Sequence, residues 1–229
     1  MSDRQKEHTK NINVHTLEVD QYPKVTLSVD CVIFGIEQEH LKVMLIRSDI
    51  AEFRKQWTLL GDLVHEKESL DEAAKRVLQT RTGLSDVFLE QVHTFGEINR
   101  HPSGRVVSTA YYALVNMTKC NLNNYEHELH WHAIEDIKEL AFDHNKILNI
   151  CVDRLREAVQ NRYVAFKLLP PVFSLRQLQD IHEAVLGKRL DRRNFRKKII
   201  SLDFIEDTGK IESDVSHRPG KLYKLKSSS

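Results

Sequence analysis

Residues Gly61–Leu84 read GDLVHEKESLDEAAKRVLQTRTGL, and their pattern defines one helix together with both of its ends. Ser69 is a residue type that accepts a hydrogen bond from the free backbone N–H groups of a first helical turn, and Glu72, three positions on, completes a capping box. Leu70, Ala73, Ala74, Val77 and Leu78 recur at helical spacing and form one apolar stripe. Gly83 stands where a left-handed C-cap belongs.

Strand signals flank this helix. KVTLSVDCVIFGI (24–36) is rich in β-branched residues; after the polar turn EQEH, LKVMLIR (41–47) reads as its hairpin partner. WTLLGDLV (57–64) reads as a further strand interrupted at Gly61. Beyond the helix come VFLEQVHTF (87–95), RVVSTAYYALVNM (105–117) and a shorter candidate at ELHWHAI (128–134), then an amphipathic helix near Lys146–Gln160. Strands with interspersed helices give an α+β or α/β layered domain. Pro170 and Pro171 then break the chain, as a stiff link between two units. After them Ser174 caps a helix carrying Leu175, Leu178, Ile181, Val185 and Leu186 on one face and stopping at Gly187. Asp191 caps a second helix anchored by Phe195, Ile199, Ile200 and Leu202. Two helices joined by a short turn outline a helix-turn-helix, and FIEDTGKI…KLYKLK, with turns expected at Gly209 and Gly220, completes it as a β-wing. The expected division is an N-terminal arm (1–22), a layered sensor domain (23–164) and a winged helix (165–229).

The chain of 229 residues is 41% hydrophobic and 29% charged, which suits a globular protein and is too apolar for wholesale disorder. No apolar run approaches the roughly 20 residues that span a bilayer, so no membrane association is expected. The N-terminus has no apolar segment of the signal-peptide kind. Cys31, Cys120 and Cys151 are far apart and odd in number, so a disulfide framework is not expected and a cytoplasmic location is. The net charge of +1 suggests indifference to nucleic acid until it is divided along the chain. Residues 1–164 hold 20 Lys+Arg against 25 Asp+Glu, a net of −5, and residues 165–229 hold 14 against 8, a net of +6. Within KRLDRRNFRKK, Lys188, Arg189, Arg192, Arg193, Arg196, Lys197 and Lys198 crowd the second helix, where a major-groove reader belongs. A charge run alone is usually a solvated face; its coincidence with the helix-turn-helix outline points to double-stranded DNA. Asn194 suits adenine, the arginines suit guanine or phosphate, and His217, Arg218 and Lys221 would bring charge to the wing.

The opening stretch resembles the Nudix box, G-x5-E-x7-R-E-U-x-E-E-x-G-U with U apolar. With Gly83 on its last glycine, Glu68 takes the first glutamate and Arg76 the arginine, and Leu78 and Leu84 fall on apolar positions. Asp62 replaces the first glycine, and Val77, Thr80 and Arg81 stand where the box has its other three glutamates. RHPSGRVVSTAYYALV (100–115) and LAFDHNKIL (140–148) are similar to segments of Nudix domains fused to winged helices. FKLLPPVFSLRQLQDIHEAVLGKRLDRRNFRKKI (166–199) is similar to the second half of Nudix-related transcriptional regulators of the NrtR and AraR type. The resemblance runs from about residue 25 to residue 226. It implies a Nudix-fold α/β/α sandwich with a C-terminal winged helix-turn-helix. It also implies a catalytically silent sensor, a homodimer on palindromic operator DNA, and a small-molecule effector that changes DNA affinity. Known effectors are ADP-ribose for regulators of NAD metabolism and simple sugars for catabolic regulators; the C-terminal block and the eroded box look closest to the sugar-responsive branch, with an ADP-ribose-responsive regulator, or a residual Nudix pyrophosphohydrolase, as the alternatives. One departure is His101, where many relatives carry aspartate.

Independently of the family, a valine, a threonine and a cation at 77, 80 and 81 cannot supply the hard oxygen ligands that magnesium needs, so neither a metal cofactor nor hydrolysis is expected. Arg81 would bind an anionic ligand in the metal's place, or pair with a carboxylate such as Glu68. By resemblance Arg47 and Arg105 fit pocket positions, though each would equally suit a surface ion pair. Trp57 reads as core or as a ring for a sugar to pack on, and Tyr111 and Tyr112 as core or pocket lining. His127, His130 and His132 have some metal-ligand character, but no cysteine or second histidine pair completes a zinc site.

Overall fold

The computed structural model describes residues 24–37, 39–117, 129–161, 163–213 and 218–226. Seven strands form the larger sheet: β1 (Thr26–Glu37), β2 (His40–Arg47), β3 (Trp57–Thr58), β4 (Leu60–Leu63), β5 (Phe88–Phe95), β6 (Val106–Leu114) and β7 (His130–Ala133). β1 lies at its centre, parallel to β6 from Thr26 opposite Val106 to Phe34 opposite Leu114, and antiparallel to β2 and β4. β5 continues the sheet beyond β6, and β3 and β7 both pair with β2.

β1 is buried almost without interruption because both faces of the sheet are covered. Val29, Cys31 and Ile33 meet Ala73, Ala74, Val77 and Leu78 of helix α1 (Leu70–Thr82) on one side. Val32 and Phe34 belong to the core on the other side, with Ile147, Cys151 and Leu155 of helix α2 (His144–Asn161). This is the expected α/β/α sandwich. The capping box is formed in full: Ser69 Oγ accepts from Glu72 N–H, Glu72 receives the Ser69 N–H, and Gly83 closes α1 at φ 70°. The 57–64 stretch divides differently from expectation. Its break falls at Leu59, where the chain passes from β2 to β1, and Gly61 lies within β4. A Cβ at Gly61 would sit 2.5 Å from Asp30 Oδ1, so glycine is needed there for close approach of two strands.

The C-terminal elements follow the winged-helix order: strand β8 (Phe173–Ser174), helix α3 (Leu175–Leu186), helix α4 (Arg192–Ser201), then strands β9 (Ile205–Ile211) and β10 (Lys221–Leu225). Ser174 and Asp191 cap the two helices and Gly187 ends α3 at φ 64°. Phe195 and Ile199 are buried anchors of α4, whereas Ile200 and Leu202, expected to join them, are about half exposed. Gly209 has positive φ inside β9, rather than at the hairpin turn. The apolar core runs across Pro170–Pro171 without a break. Leu155 and Val159 of α2 share one cluster with Leu178, Ile181, Phe195 and Tyr223.

Candidate functional site

Arg76 organises the edge of the larger domain's principal cavity. Its guanidinium donates to Glu68 (2.7 and 2.9 Å), to Asp62 (2.8 Å) and to Leu63 O (2.8 Å), clamping α1 to the strand before it. That contact holds the Glu68 carboxyl at about 2. Burial pushes Asp62 up, but hydrogen bonds from Arg76 and Leu63 N–H and the charges of Arg76 and Arg81 outweigh it, leaving that carboxyl below its ordinary range. Glu68 is engaged by Arg76, and Arg81 lines the cavity wall, near enough to Asp62 for its charge to act on that carboxyl. Val77 is fully buried in the core, and the Thr80 hydroxyl donates back to Arg76 O at 2.7 Å. None of the three positions offers a carboxylate. Among the described residues no group of three or more His, Cys, Asp or Glu side chains could hold a metal ion. The residues present do not fit the magnesium cage that the Nudix fold implies.

The cavity, about 450 Å³, opens between β1, β2, β4 and the N-terminal end of α2. Arg47 and Arg81 line it, while Trp57 stands behind Arg47 with its ring 3.6 Å from the guanidinium carbon. Arg47 also donates to Lys55 O. The His130 and His132 rings pack edge-on against the same indole, at 5.2 and 4.4 Å, which gives these histidines a packing role. His127 lies outside the described residues. Arg105 does not line the cavity; it donates to Gly96 O and Glu97 O. Tyr111 and Tyr112 are both buried, one in each core cluster.

Beneath the cavity lies a polar network that sequence reading did not single out. Arg100, with its side chain 3% exposed, donates to Asp143 at 2.9 and 2.7 Å and lies 3.4 Å from Asp30 Oδ2, which also accepts from Ser108 Oγ at 2.6 Å. The two similarity stretches, 100–115 and 140–148, thus meet through one buried ion pair. His144 Nδ1 accepts from Leu59 N–H at 3.0 Å and lies 2.7 Å from Thr58 Oγ1. Because the backbone group can only donate, the ring proton resides on Nε2, which faces Asp30 Oδ1 at 3.5 Å. Burial pushes the His144 pKa down and keeps the ring neutral. Phe142, at φ 58°, stacks on His101 with ring centres 5.2 Å apart and planes 9° from parallel. Burial and the adjacent Arg100 hold His101 below its ordinary pKa, so a flat, mostly uncharged ring pair borders the two wall arginines. Two guanidiniums beside an aromatic platform are suited to a phosphorylated ligand with a planar ring.

The second surface is α4. At roughly 100° per residue, Phe195 and Ile199 point inward while Arg193 and Lys197 point outward. Arg192, Arg193, Asn194, Lys197 and Lys198 are exposed and Arg196 is half-buried. Arg192 and Arg196 flank the wing, lining a narrow groove with Arg218 and Lys221. Lys221 is paired with Asp207 at 2.7 Å. Lys188 and Asn194 lie at the mouth of a second cavity. His217 lies outside the described residues. Arg189 has a different role from its neighbours: it bridges Glu183 of α3 (2.8 Å) and Glu39 of the β1–β2 turn (2.7 Å). No helix among the described residues is long and apolar enough to cross a membrane.

Comparison with known proteins gives this arrangement its family. Residues 24–150 match the NUDIX domain model and residues 165–225 match that of the NrtR DNA-binding winged helix domain. The chain is 32% identical over 210 residues to the ADPR responsive transcriptional repressor NtrR of Acinetobacter baylyi, covering 89% of this chain and 83% of that one. NrtR of Shewanella oneidensis, solved with a 27mer DNA, superposes with TM-score 0.78 at 31% identity, over 87% of this chain and 93% of the other. The NUDIX domain of the same Shewanella protein, solved with ADP ribose, matches with TM-score 0.54 at 28% identity, over 61% and 94%. With both domain models matched in order along one polypeptide, the chain belongs to the NrtR family of Nudix-domain transcriptional regulators.

Proposed function

We propose that this chain is a transcriptional repressor that binds two-fold symmetric operator DNA as a dimer and takes ADP-ribose as effector in the cavity lined by Arg47 and Arg81. The observation that carries the reading is the replacement of box carboxylates by Arg81 on a cavity wall that already bears Arg47. Two fixed guanidiniums match a diphosphate, which metal ions would otherwise have to neutralise. The Phe142–His101 platform supplies a flat apolar surface for the base. The sugar effector favoured from sequence gives way here to the second class considered, because a simple sugar uses neither arginine as an anion partner. The Acinetobacter and Shewanella relatives, moreover, carry ADP-ribose in their descriptions. Metal-dependent hydrolysis is not part of the proposal, since positions 77, 80 and 81 hold no carboxylate.

On α4, Arg193 and Lys197 take the groove-facing positions, Arg192, Arg196 and Arg218 the backbone beside the wing, and Asn194 a base edge. One short recognition helix reads few bases, so a dimer on two half-sites supplies the specificity. The test is a thermal-shift panel of ADP-ribose, ribose and arabinose, followed by gel shift on a two-fold symmetric duplex. ADP-ribose alone is expected to raise the melting point and release the DNA. A shift with a free sugar and none with ADP-ribose refutes the effector assignment. Turnover of ADP-ribose with magnesium refutes the silent sensor.

A further inference from the structure

A second cavity, about 440 Å³, lies behind the recognition helix, between the C-terminal part of α2, α3 and α4. It takes no part in the function proposed above. Val159, Phe166, Leu186, Phe195, Ile199 and Phe204 line it, so its body is apolar. Lys188 and Lys198 stand on its lining, and neither forms an ion pair among the described residues. The one acidic side chain on the lining, Asp191, is already committed as the N-cap of α4, accepting from Asn194 N–H at 2.8 Å.

We propose that this cavity binds a small amphipathic anion, with an apolar body seated among the phenylalanines and a carboxylate or sulfonate held by Lys188 and Lys198. The volume suits a small molecule. A docked helix, about 10 Å across, would use it up in about four residues, so a peptide is the poorer fit. Charge complementarity selects the anion, because the lining presents two cations against one acid whose oxygen is spoken for by the cap. His182, on the same lining, packs edge-on against Phe195 at 5.0 Å and donates from Nδ1 to Leu178 O at 2.8 Å. Burial, with a smaller contribution from Lys198, holds its pKa below the ordinary value, so the two lysines are the cations that face the cavity. Because the buried α4 residues Phe195 and Ile199 line it, an occupant would sit against the inner side of the same helix that carries the DNA-facing cations.

The test uses the full chain without DNA, with 8-anilinonaphthalene-1-sulfonate as fluorescent probe and octanoate and 1-octanol as competitors. The proposal expects saturable binding of one probe per chain, displaced by octanoate and at least tenfold less well by 1-octanol. The double substitution Lys188→Gln, Lys198→Gln should weaken probe and octanoate on the order of tenfold while leaving 1-octanol unchanged, the loss expected of a charge-assisted contact. Leu186→Trp, which fills the cavity, should abolish binding of all three; should it fail to fold, the lysine pair still decides. Binding indifferent to the lysine substitutions, equal displacement by octanol and octanoate, or displacement of the probe by ADP-ribose overturns the proposal.

Discussion

Replacing Arg100 by methionine keeps the side chain's bulk and removes its charge from the floor of the cavity lined by Arg47 and Arg81. In the native structure this guanidinium makes two hydrogen bonds to Asp143, at 2.9 and 2.7 Å, and approaches Asp30 at 3.4 Å. The three side chains are only 3, 18 and 9% exposed, so solvent does little to compensate for its loss. Removing one partner of a buried ion pair costs about 3–5 kcal/mol, chiefly because the remaining carboxylate is stranded. At about 2–4 °C per kcal/mol for a chain of this size, R100M should melt roughly 6–20 °C lower. Equilibrium urea unfolding at pH 7.5, read by tryptophan fluorescence and circular dichroism together, measures the free energy directly. R100K should recover part of the loss, since an ammonium restores the charge but not the two parallel donors. The double variant R100M/D143L removes one of the two stranded carboxylates, leaving Asp30, and should be more stable than R100M alone. A loss under 1 kcal/mol for R100M, or a double variant worse than the sum of the singles, would refute a dry, mutually dependent network.

Acid should weaken the fold by a separate route. His144 has a lowered folded pKa, so the unfolded chain binds the proton more readily; stability is full above about pH 6.5, the free-histidine value, and falls as pH drops below it. His144→Asn, whose side-chain oxygen replaces the Nδ1 acceptor, should flatten urea midpoints compared between pH 7.5 and 5.5; an unchanged slope sinks the assignment. In the cavity, Arg47→Ala and Arg81→Ala should each reduce ADP-ribose affinity on the order of tenfold or more by calorimetry, whereas Arg105→Ala should leave it within about threefold. On the DNA side, Lys197→Ala should lower the slope of log affinity against log salt by about 1. Arg189→Ala should leave that slope unchanged, because Glu39 and Glu183 already hold its guanidinium. A drop in slope for R189A equal to that for K197A would return Arg189 to the DNA contacts.

Local chemistry made the helix ends legible in sequence. Ser69, Ser174 and Asp191 cap helices as their hydroxyl and carboxylate groups predict, and Gly83 and Gly187 close them in the left-handed conformation. Arg47 and Arg81 were found through the box and its flanks, and both reach the cavity. Arg105, grouped with Arg47 by resemblance, stands off that lining, because its carbonyl partners lie in a loop whose path no periodicity records. The buried network was missed for a related reason. Asp30, Arg100 and the adjacent pair Asp143–His144 come from three separate points in the chain, and each looks like an ordinary polar residue until β1 is centred in the sheet. The nearest signal was an aspartate two residues after Leu140–Ala141, at the start of an amphipathic stretch. Arg189 shows what composition leaves out: it belongs to the cationic run, and its exposed guanidinium also reaches a glutamate 150 positions away. Ile200 lies about 100° round the helix from the buried Ile199, and Leu202 is the C-cap beyond the last turn, so neither joins the inner face.

Helix α2 begins beside the Arg100–Asp143 pair and ends in the core shared with α3. Its 18 residues make a rod about 27 Å long. A rod that is packed at both ends can act as a pointer: a tilt of about 5° at the cavity end would carry the other end about 2 Å sideways. Side chains in a close-packed interior cannot absorb such a displacement without changing partners. The length of this one helix thus sets the leverage: any adjustment of the network under the cavity would be felt most strongly at the far end, where α2 meets α3.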